Sequence, residues 1–234
     1  MFLNMKYLTY NVNLNTKLES LGFKRKGRSY FYKKTDDSIL EIAFSHSSKG
    51  EPHVKYYYIT IMFSFPKVTT IASDIDFPIV YGFSRHLGHI IPANRFIEWR
   101  IPDDDTEEHV MKVTDEMYYL IKTYAMPYFD KYCRIDDVIR DFENDVFPFF
   151  LNPQTIPVLY YIKGQKDKAL QYMDNHLKIL REKDKDNPSF SIETKKTEDS
   201  VITSIFVRGQ DLSLYEEFVM KIKTLIGNNG MYKS

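Results

Sequence analysis

Cysteine is almost absent from this 234-residue chain, in which Cys133 is the single example. One cysteine excludes an internal disulfide and a cysteine-cluster metal site, so the fold does not depend on an oxidising compartment. We therefore expect a cytoplasmic protein.

Long apolar segments are also lacking. Nowhere do about 18 apolar residues follow one another, which argues against a transmembrane helix. The first ten residues, MFLNMKYLTY, have neither the apolar segment nor the small-residue cleavage site of a secretory signal. We expect neither secretion nor association with a membrane.

The chain has no excess of either charge, because 32 basic residues balance 32 acidic ones. This balance argues against a protein whose whole surface binds nucleic acid, so we do not expect nucleic acid as a partner. The charges are unevenly distributed, however. Residues 1–34 contain eight basic and one acidic side chain, whereas residues 101–150 contain five basic and thirteen acidic ones. We expect two surface patches of opposite charge.

Motifs of known catalytic sites are missing as well. There is no G-x-S-x-G motif and no glycine-rich phosphate loop, and Cys133 has no histidine close to it in the sequence. The acidic run at residues 103–108 is explained by the start of a helix, where carboxylates complement the dipole and the cap. The sequence favours a non-catalytic protein without excluding an enzyme.

A metal site is not expected either. His86 and His89 would share one face only on a helix, and the neighbouring Gly88 and Pro92 disfavour a helix there. The remaining histidines are scattered along the chain. We predict neither a bound metal nor a cofactor.

Apolar residues, by contrast, are abundant. They make up 43% of the chain, and aromatics make up 15%, with 18 tyrosines and 17 phenylalanines. This composition lies far from that of a disordered chain, so we expect a folded protein with a substantial core.

The spacing of these apolar residues predicts an α+β fold. A helix over residues 4–21 buries Leu14 and Leu18 and ends at Gly22. Alternating β-rich runs at 28–34, 39–46 and 54–65 then predict an antiparallel sheet of about four to six strands, the last near residues 96–101. A long helix over 106–125 follows, ends before Pro127, and buries the stripe Val110, Val113, Met117 and Leu120.

The remainder of the chain is predicted to be a helical subdomain. We place the boundary at the turn-rich segment near residue 150, which gives domains 1–150 and 151–234. A helical hairpin covers residues 157–181, and a charged, mobile loop covers 181–200. The last helix begins at a capping box formed by Ser213 and Glu216 and buries Leu214, Phe218, Ile222 and Leu225.

Four spaced fragments carry a resemblance to a known family. They are LGFKRKGRSYFY from Leu21, SRHLGHIIP from Ser84, EW from Glu98 and YAMPYFD from Tyr124. Over about residues 10–145 the chain resembles an uncharacterised bacterial family, the domain of unknown function family 4304. The resemblance implies a helix packed on an antiparallel sheet and assigns no catalytic residue. The chain departs from the family's pattern in having a single Trp99 where a tryptophan pair is frequent, and in the helical part after residue 150.

A candidate binding site can be named from side-chain chemistry. The second face of the strand at 54–65 carries Tyr56 and Tyr58, and it is either partly covered or a recognition surface. Arg85, His89 and Trp99 follow, and these side chains combine stacking area with hydrogen-bond donors suited to an anionic or aromatic ligand. If the protein has a specific ligand, we expect these five residues to bind it. In the alternative interpretation, Trp99 is a packing residue and Arg85 is a surface ion-pair partner.

Two functions therefore remain open. The first is a non-catalytic binding or protein-interaction protein, in which a protein partner meets the tyrosine-rich sheet face. The alternative is an enzyme that acts on an anionic small molecule or nucleic acid through a pocket near Arg85, His89 and Trp99. The basic run at 24–28, followed by Tyr30, is typical of grooves that bind single-stranded nucleic acid. We favour the other interpretation, in which the lysines of an edge strand prevent edge-to-edge aggregation.

Overall fold

The protein is described by a computed structural model that covers residues 13–27, 29–78, 82–147, 152–186, 191–197, 200–206 and 210–231. The chain divides into two compact units. Unit 1 comprises residues 1–66 and 81–150, and unit 2 comprises residues 67–80 and 151–234. No described helix is long and apolar enough to cross a membrane.

Unit 1 contains an antiparallel sheet of six strands, in the order β1-β2-β3-β4-β5, with β6 also paired to β4. The strands are β1 (Lys24–Lys26), β2 (Tyr30–Lys34), β3 (Ile39–Ser47), β4 (Val54–Ser64), β5 (Gly82–His86) and β6 (Trp99–Pro102). β5 pairs with the second half of β4 and β6 with its first half. The α+β prediction with an antiparallel sheet is confirmed.

Alternation within the strands creates one packed face of this sheet. Along β4, Tyr57, Ile59, Ile61 and Phe63 are all buried, while the residues between them are half-exposed. Because successive strand residues point to opposite faces, the buried set lies on one side. The turn between β2 and β3 is closed by Thr35, whose amide donates to the Ser38 carbonyl at 2.9 Å.

Helices of unit 1 supply the other layer of its core. They are α1 (residues 13–20, the described part of the predicted helix that starts at residue 4), α3 (Glu107–Leu120), α4 (Met126–Tyr132) and α5 (Ile135–Glu143). Asn13 Nδ2 donates to Thr114 Oγ1 at 2.9 Å, which links α1 to α3. The rings of Phe63 on β4 and Tyr132 on α4 stack with centroids 6.0 Å apart, so α4 covers the packed face.

The long helix does not end before Pro127 as predicted. A π-helical turn over Ile121–Ala125 joins α3 to α4, and the Met126 amide donates to the Ile121 carbonyl, five residues earlier. Pro127 then stands in the first turn of α4, a position that tolerates proline because its ring fixes φ near the helical value. The predicted apolar stripe is correct at Val110, Val113 and Met117 but wrong at Leu120, which is only half-buried; Ile121, four residues after Met117, is the buried residue.

Unit 2 is mainly helical, as predicted for the C-terminal subdomain. Its helices are α6 (Thr155–Ile162), α7 (Lys166–Asp186) and α8 (Gln210–Met231), and residues 67–74 of α2 (Pro66–Asp74) belong to it as well. Helix α2 was not predicted; it begins at Pro66, and proline is favoured at the first position of a helix.

Two further predictions for this unit are wrong. Part of the predicted mobile loop is an antiparallel pair of strands, β7 (Ser191–Thr197) and β8 (Ser200–Phe206). The last helix starts at Gln210, so Ser213 lies inside it and cannot be its cap. Phe218 and Ile222 are buried as expected, but Leu214 is 43% exposed and Leu225 is only half-buried, so the buried stripe of this helix is shorter than predicted.

Candidate functional site

The second face of the six-stranded sheet is accessible to solvent. The residues of this open face that are named below all lie between half-exposed and fully exposed. The strand registers place them side by side. The open face consists of Lys24, Lys26, Tyr30, Tyr32, Lys34, Glu41, Ala43, Ser45, Tyr56, Tyr58, Thr60, Met62, Ser84, His86 and Arg100.

One register row shows how the open face is built. Lys26, Tyr30, Ala43, Thr60 and His86 are direct neighbours on β1 to β5. The two middle side chains are small, whereas rings stand on either side of them. With strands about 4.8 Å apart, Tyr30 and His86 stand on strands about 14 Å apart and flank a shallow trough. The Tyr30 side chain extends over this trough, with its hydroxyl 3.9 Å from Met62 Sδ on β4.

Three rings meet at the β5 side of this trough. Phe96, in the loop before β6, stacks on His86 with ring centroids 4.2 Å apart and an interplanar angle of 25°. Tyr58 lies 5.9 Å from Phe96 and 6.1 Å from His86. Phe96 nevertheless remains 54% exposed, so this aromatic cluster presents an open ring face.

His86 is held in a defined state within the cluster. Its Nδ1 accepts a hydrogen bond from the Gly88 amide at 3.0 Å, which leaves the proton of the neutral ring on Nε2. Burial, and then the neighbouring His89, lower the pKa of His86, against the opposing effect of a hydrogen bond to the Ile97 backbone. The neutral form of the His86 imidazole is therefore favoured. A neutral ring can stack on Phe96 without the free-energy cost of removing a charge from water.

Gly88 brings the Phe96 loop onto the sheet. The Arg95 amide donates to the Gly88 carbonyl at 3.0 Å. A Cβ atom on Gly88 would lie 2.1 Å from the Arg95 carbonyl oxygen, closer than any van der Waals contact. Only glycine permits this approach, which places the loop and hence Phe96 over His86.

Carboxylates near Tyr56 are occupied by ion pairs. Arg100 Nη2 lies 3.6 Å from Glu51 Oε2, and the Tyr56 hydroxyl donates to the same carboxylate. Lys49 pairs with Glu98 and lies over the Tyr56 ring, 4.7 Å from its centroid. This network fixes Tyr56 at one end of the open face and balances both acidic side chains.

At the opposite edge the open face is basic. Lys24 and Lys26 of β1 are the register neighbours of Tyr32 and Tyr30, and with Lys34 they are exposed. None of the three forms an ion pair with a residue that the structure describes. Burial, followed by the charge of Glu41, raises the pKa of Tyr30, so Tyr30 is a neutral phenol, and its hydroxyl lies 3.9 Å from Met62 Sδ.

The structure separates the five predicted site residues: two lie on each face of the sheet, and the fifth lies in a turn. Tyr56 and Tyr58 lie on the open face. Trp99 is the register partner of Tyr57 and is 6% exposed, and Arg85 is the partner of Ile61, so both belong to the packed face. The five side chains do not converge, because Trp99 packs as the alternative interpretation proposed; ligand binding by them stays a prediction.

The fifth residue, His89, is exposed in a short 3-10 turn, Leu87–His89, and its ring centroid lies 5.6 Å from that of His86. His86 and Phe96 were missed as site residues. The available signal was that Phe96 is a large apolar residue in a polar, proline-containing loop, but its contact with β5 depends on the tertiary fold.

Residues considered for metal binding show other roles. In the described ranges, no group of three His, Cys, Asp or Glu side chains is arranged to hold a metal ion. The acidic run precedes helix α3 as expected, although the cap itself is Thr106, whose hydroxyl accepts from the His109 amide at 3.1 Å.

Comparison with known proteins supports one assignment. A family model described as a domain of unknown function, DUF4304, matches residues 14–131, which is half of the chain. The match includes all six strands and the Phe96 loop. No curated protein and no solved structure matches the chain. Because the matched region amounts to half of the chain and contains the whole sheet together with α3, the chain belongs to the DUF4304 family.

Proposed function

We propose that the protein is a non-catalytic binding protein that holds its partner on the open face. The observation that carries this proposal is the aromatic cluster of Tyr58, His86 and Phe96, whose outermost ring is more than half exposed. Exposed aromatic groups cost free energy in water, and large accessible patches of them mark interaction surfaces.

The geometry of the cluster supports binding with a small loss of side-chain conformational entropy. Each of the three rings is already in contact with the other two, so little rotamer freedom remains to be lost when a partner docks. Tyrosine, methionine and arginine, which the open face also contains in Tyr56, Met62 and Arg100, are enriched in interface cores.

The alternative of an enzyme has less support. It requires Arg85, His89 and Trp99 to line one pocket, but Trp99 is buried on the packed face while His89 is exposed beside the open-face residue His86. Catalysis needs titratable groups within hydrogen-bond reach of a common substrate position, so this separation favours binding.

The proposal is tested by affinity capture from a cell extract. The bait is the full chain, as wild type or with Tyr58→Ala and Phe96→Ala combined. We expect one or more molecules to be retained by the wild type and lost from the double variant, because the variant removes two of the three rings. Quantitative mass spectrometry and nucleic-acid staining identify what is retained.

Tyr119→Ala is the matched control. Tyr119 lies on α3, in the same unit, and is 59% exposed, so its loss removes an accessible tyrosine without touching the open face. Circular dichroism must show that all baits are folded. If every retained molecule binds the double variant and the wild type equally, the open face is not the binding surface and the proposal is refuted.

A further inference from the structure

We propose that the partner of the open face is a single-stranded nucleic acid, an inference that rests on the proposed function and specifies its ligand. Single strands are bound where cationic side chains track the phosphates and aromatic rings stack on the bases. The open face combines both features in one register, with Lys24 and Lys26 beside Tyr32 and Tyr30.

Charge complementarity distinguishes this ligand from others. The exposed lysines at 24, 26 and 34 lie on or next to the edge strand β1, and none of them forms an ion pair with a described residue. The carboxylates at the other end, Glu51 and Glu98, are paired with Arg100 and Lys49. The unbalanced charge of the face is therefore positive and lies at the β1 edge.

One acidic side chain, Glu41, lies within the open face. It is the register neighbour of Tyr32, and its charge helps to raise the pKa of Tyr30. Against this one carboxylate stand the three exposed lysines at 24, 26 and 34, so the face keeps a positive excess at the β1 edge.

The rings are spaced for successive bases. Tyr30 and Tyr32 lie two residues apart on β2, and Tyr56 and Tyr58 two residues apart on β4, which separates the members of each pair by about 7 Å. The small Ala43 and Thr60 keep the sheet surface low towards His86, while the Tyr30 ring lies across β3 with its hydroxyl 3.9 Å from Met62 Sδ and offers its ring to a base. A single strand can cross there from the Phe96 ring to the lysines of β1.

The balanced charge of the whole chain does not contradict this inference. The acidic excess lies in residues 101–150, which form α3, α4 and α5, whereas the lysines stand together on β1 and β2. Electrostatic attraction to a bound phosphate acts over about 8 Å at physiological salt, so the local charge of the open face decides the interaction.

Fluorescence anisotropy with labelled oligo(dT) and oligo(U) of about 15 nucleotides tests the inference, at salt rising from about 50 to 200 mM. We expect Phe96→Ala to weaken binding about 5- to 150-fold, the effect of one lost stacking contact. We expect Lys24→Gln with Lys26→Gln to lower the slope of log affinity against log salt by about 1.4, for two lost phosphate contacts.

Matched controls are Tyr119→Ala and the double variant Lys112→Gln with Lys122→Gln. Their side chains are equally accessible and lie on the segment that contains α3 and the π turn. Both controls should bind like the wild type. Binding to either oligo(dT) or oligo(U), or to both, supports the inference. A preference for one of them shows whether the natural ligand is DNA or RNA.

The inference is overturned if neither oligonucleotide binds at low salt, or if the control variants weaken binding as much as the open-face variants do. That outcome leaves the proposed function intact whenever affinity capture still finds a protein that depends on Tyr58 and Phe96. If no oligonucleotide binds and no captured molecule depends on Tyr58 and Phe96, both proposals are refuted.

Discussion

Gly88 shows how a single residue shapes the candidate site. Its lack of a side chain lets the Arg95 carbonyl approach, and its own carbonyl accepts the Arg95 amide. The close approach holds the loop that carries Phe96 against the sheet. The sequence fragment that resembles the family includes this glycine, and the close approach is a physical reason for a glycine there.

We predict that Gly88→Ala destabilises the protein by about 1–3 kcal/mol, since the new Cβ would overlap the Arg95 oxygen and force the loop away. Urea unfolding measures this loss of stability.

The same substitution should change the pKa of His86. As Phe96 moves off His86, burial of the imidazole decreases, so its lowered pKa should rise towards the ordinary value in an NMR titration. Gly82→Ala is the control, because no atom of the described residues lies within 4 Å of its added Cβ; equal losses from both substitutions would contradict the explanation.

A second residue, Asp141, anchors a buried polar cluster on α5. Its carboxylate is 4% exposed and accepts from the Tyr132 hydroxyl at 2.8 Å, and it pairs with Lys131 and Arg140. Burial alone would raise the pKa of Asp141, but the hydrogen bonds from Lys131 and Tyr132 outweigh it and lower the pKa. Burial and the bond to Asp141 raise the pKa of Tyr132 to about 12.

The lowered pKa predicts an acid-sensitive contribution to stability. A carboxyl whose folded-state pKa lies below its unfolded-state value stabilises the fold above about pH 4 and loses this contribution as the pH falls through the folded-state pKa. Asp141→Asn should therefore cost about 1–3 kcal/mol at neutral pH and progressively less below pH 4. Urea unfolding at several pH values measures the difference.

Asp115→Asn provides the comparison for Asp141. Asp115 pairs with Lys17 but its side chain is 57% exposed, so its substitution should change the free energy of unfolding by less than about 1 kcal/mol. A cost of Asp141→Asn that did not vary with pH would show that packing, and not the ionised carboxylate, is responsible.

Among the elements, the segment from α3 through the π turn to α4 organises the core of unit 1. Val110, Val113 and Met117 of α3 are buried, and Ile121 and Ala125 continue the buried stripe through the π turn. Phe129 of α4 then meets Phe23 with ring centroids 5.8 Å apart. One continuous apolar face results, although the hydrogen-bond pattern changes along it.

We predict that Met117→Ala lowers the free energy of unfolding by about 2–5 kcal/mol, since the side chain is fully buried and its loss leaves a cavity. Met111→Ala is the matched control on the same helix, because Met111 is 45% exposed. Denaturant unfolding of both variants separates burial from helix propensity. Similar costs for the two methionines would mean that this stripe is not the core.

At the scale of the whole molecule, the chain is not divided by a single boundary. Residues 67–80 lie in sequence between β4 and β5 yet belong to unit 2. There the Phe77 ring lies 5.6 Å from that of Phe218 on α8, and Lys221 Nζ donates to the Asp76 carbonyl at 2.6 Å. The local sequence gives no sign of this arrangement, because its contacts are with residues about 140 positions later.

Much of the secondary structure could be predicted where apolar periodicity was regular. The strands at 39–47 and 54–64 and helix α3 follow from alternation and from three- and four-residue spacing. The errors occurred where a local signal has two meanings. Proline can end a helix or stand at its start: Pro66 is the first residue of α2, and Pro127 lies in the first turn of α4. Ser213 has the residue type and spacing of a helix cap but lies inside α8.

The sequence by itself determined the composition of the site: an alternating strand with Tyr56 and Tyr58 on one face, and lysines beside the tyrosines of β2. The tertiary structure alone decided which side chains join them. The side-chain period of a strand is two, so the pairing register sends Trp99 to the packed face with Tyr57 and His86 to the open face with Thr60. The stack of Phe96 on His86 likewise depends on a backbone approach at Gly88, which no local propensity specifies.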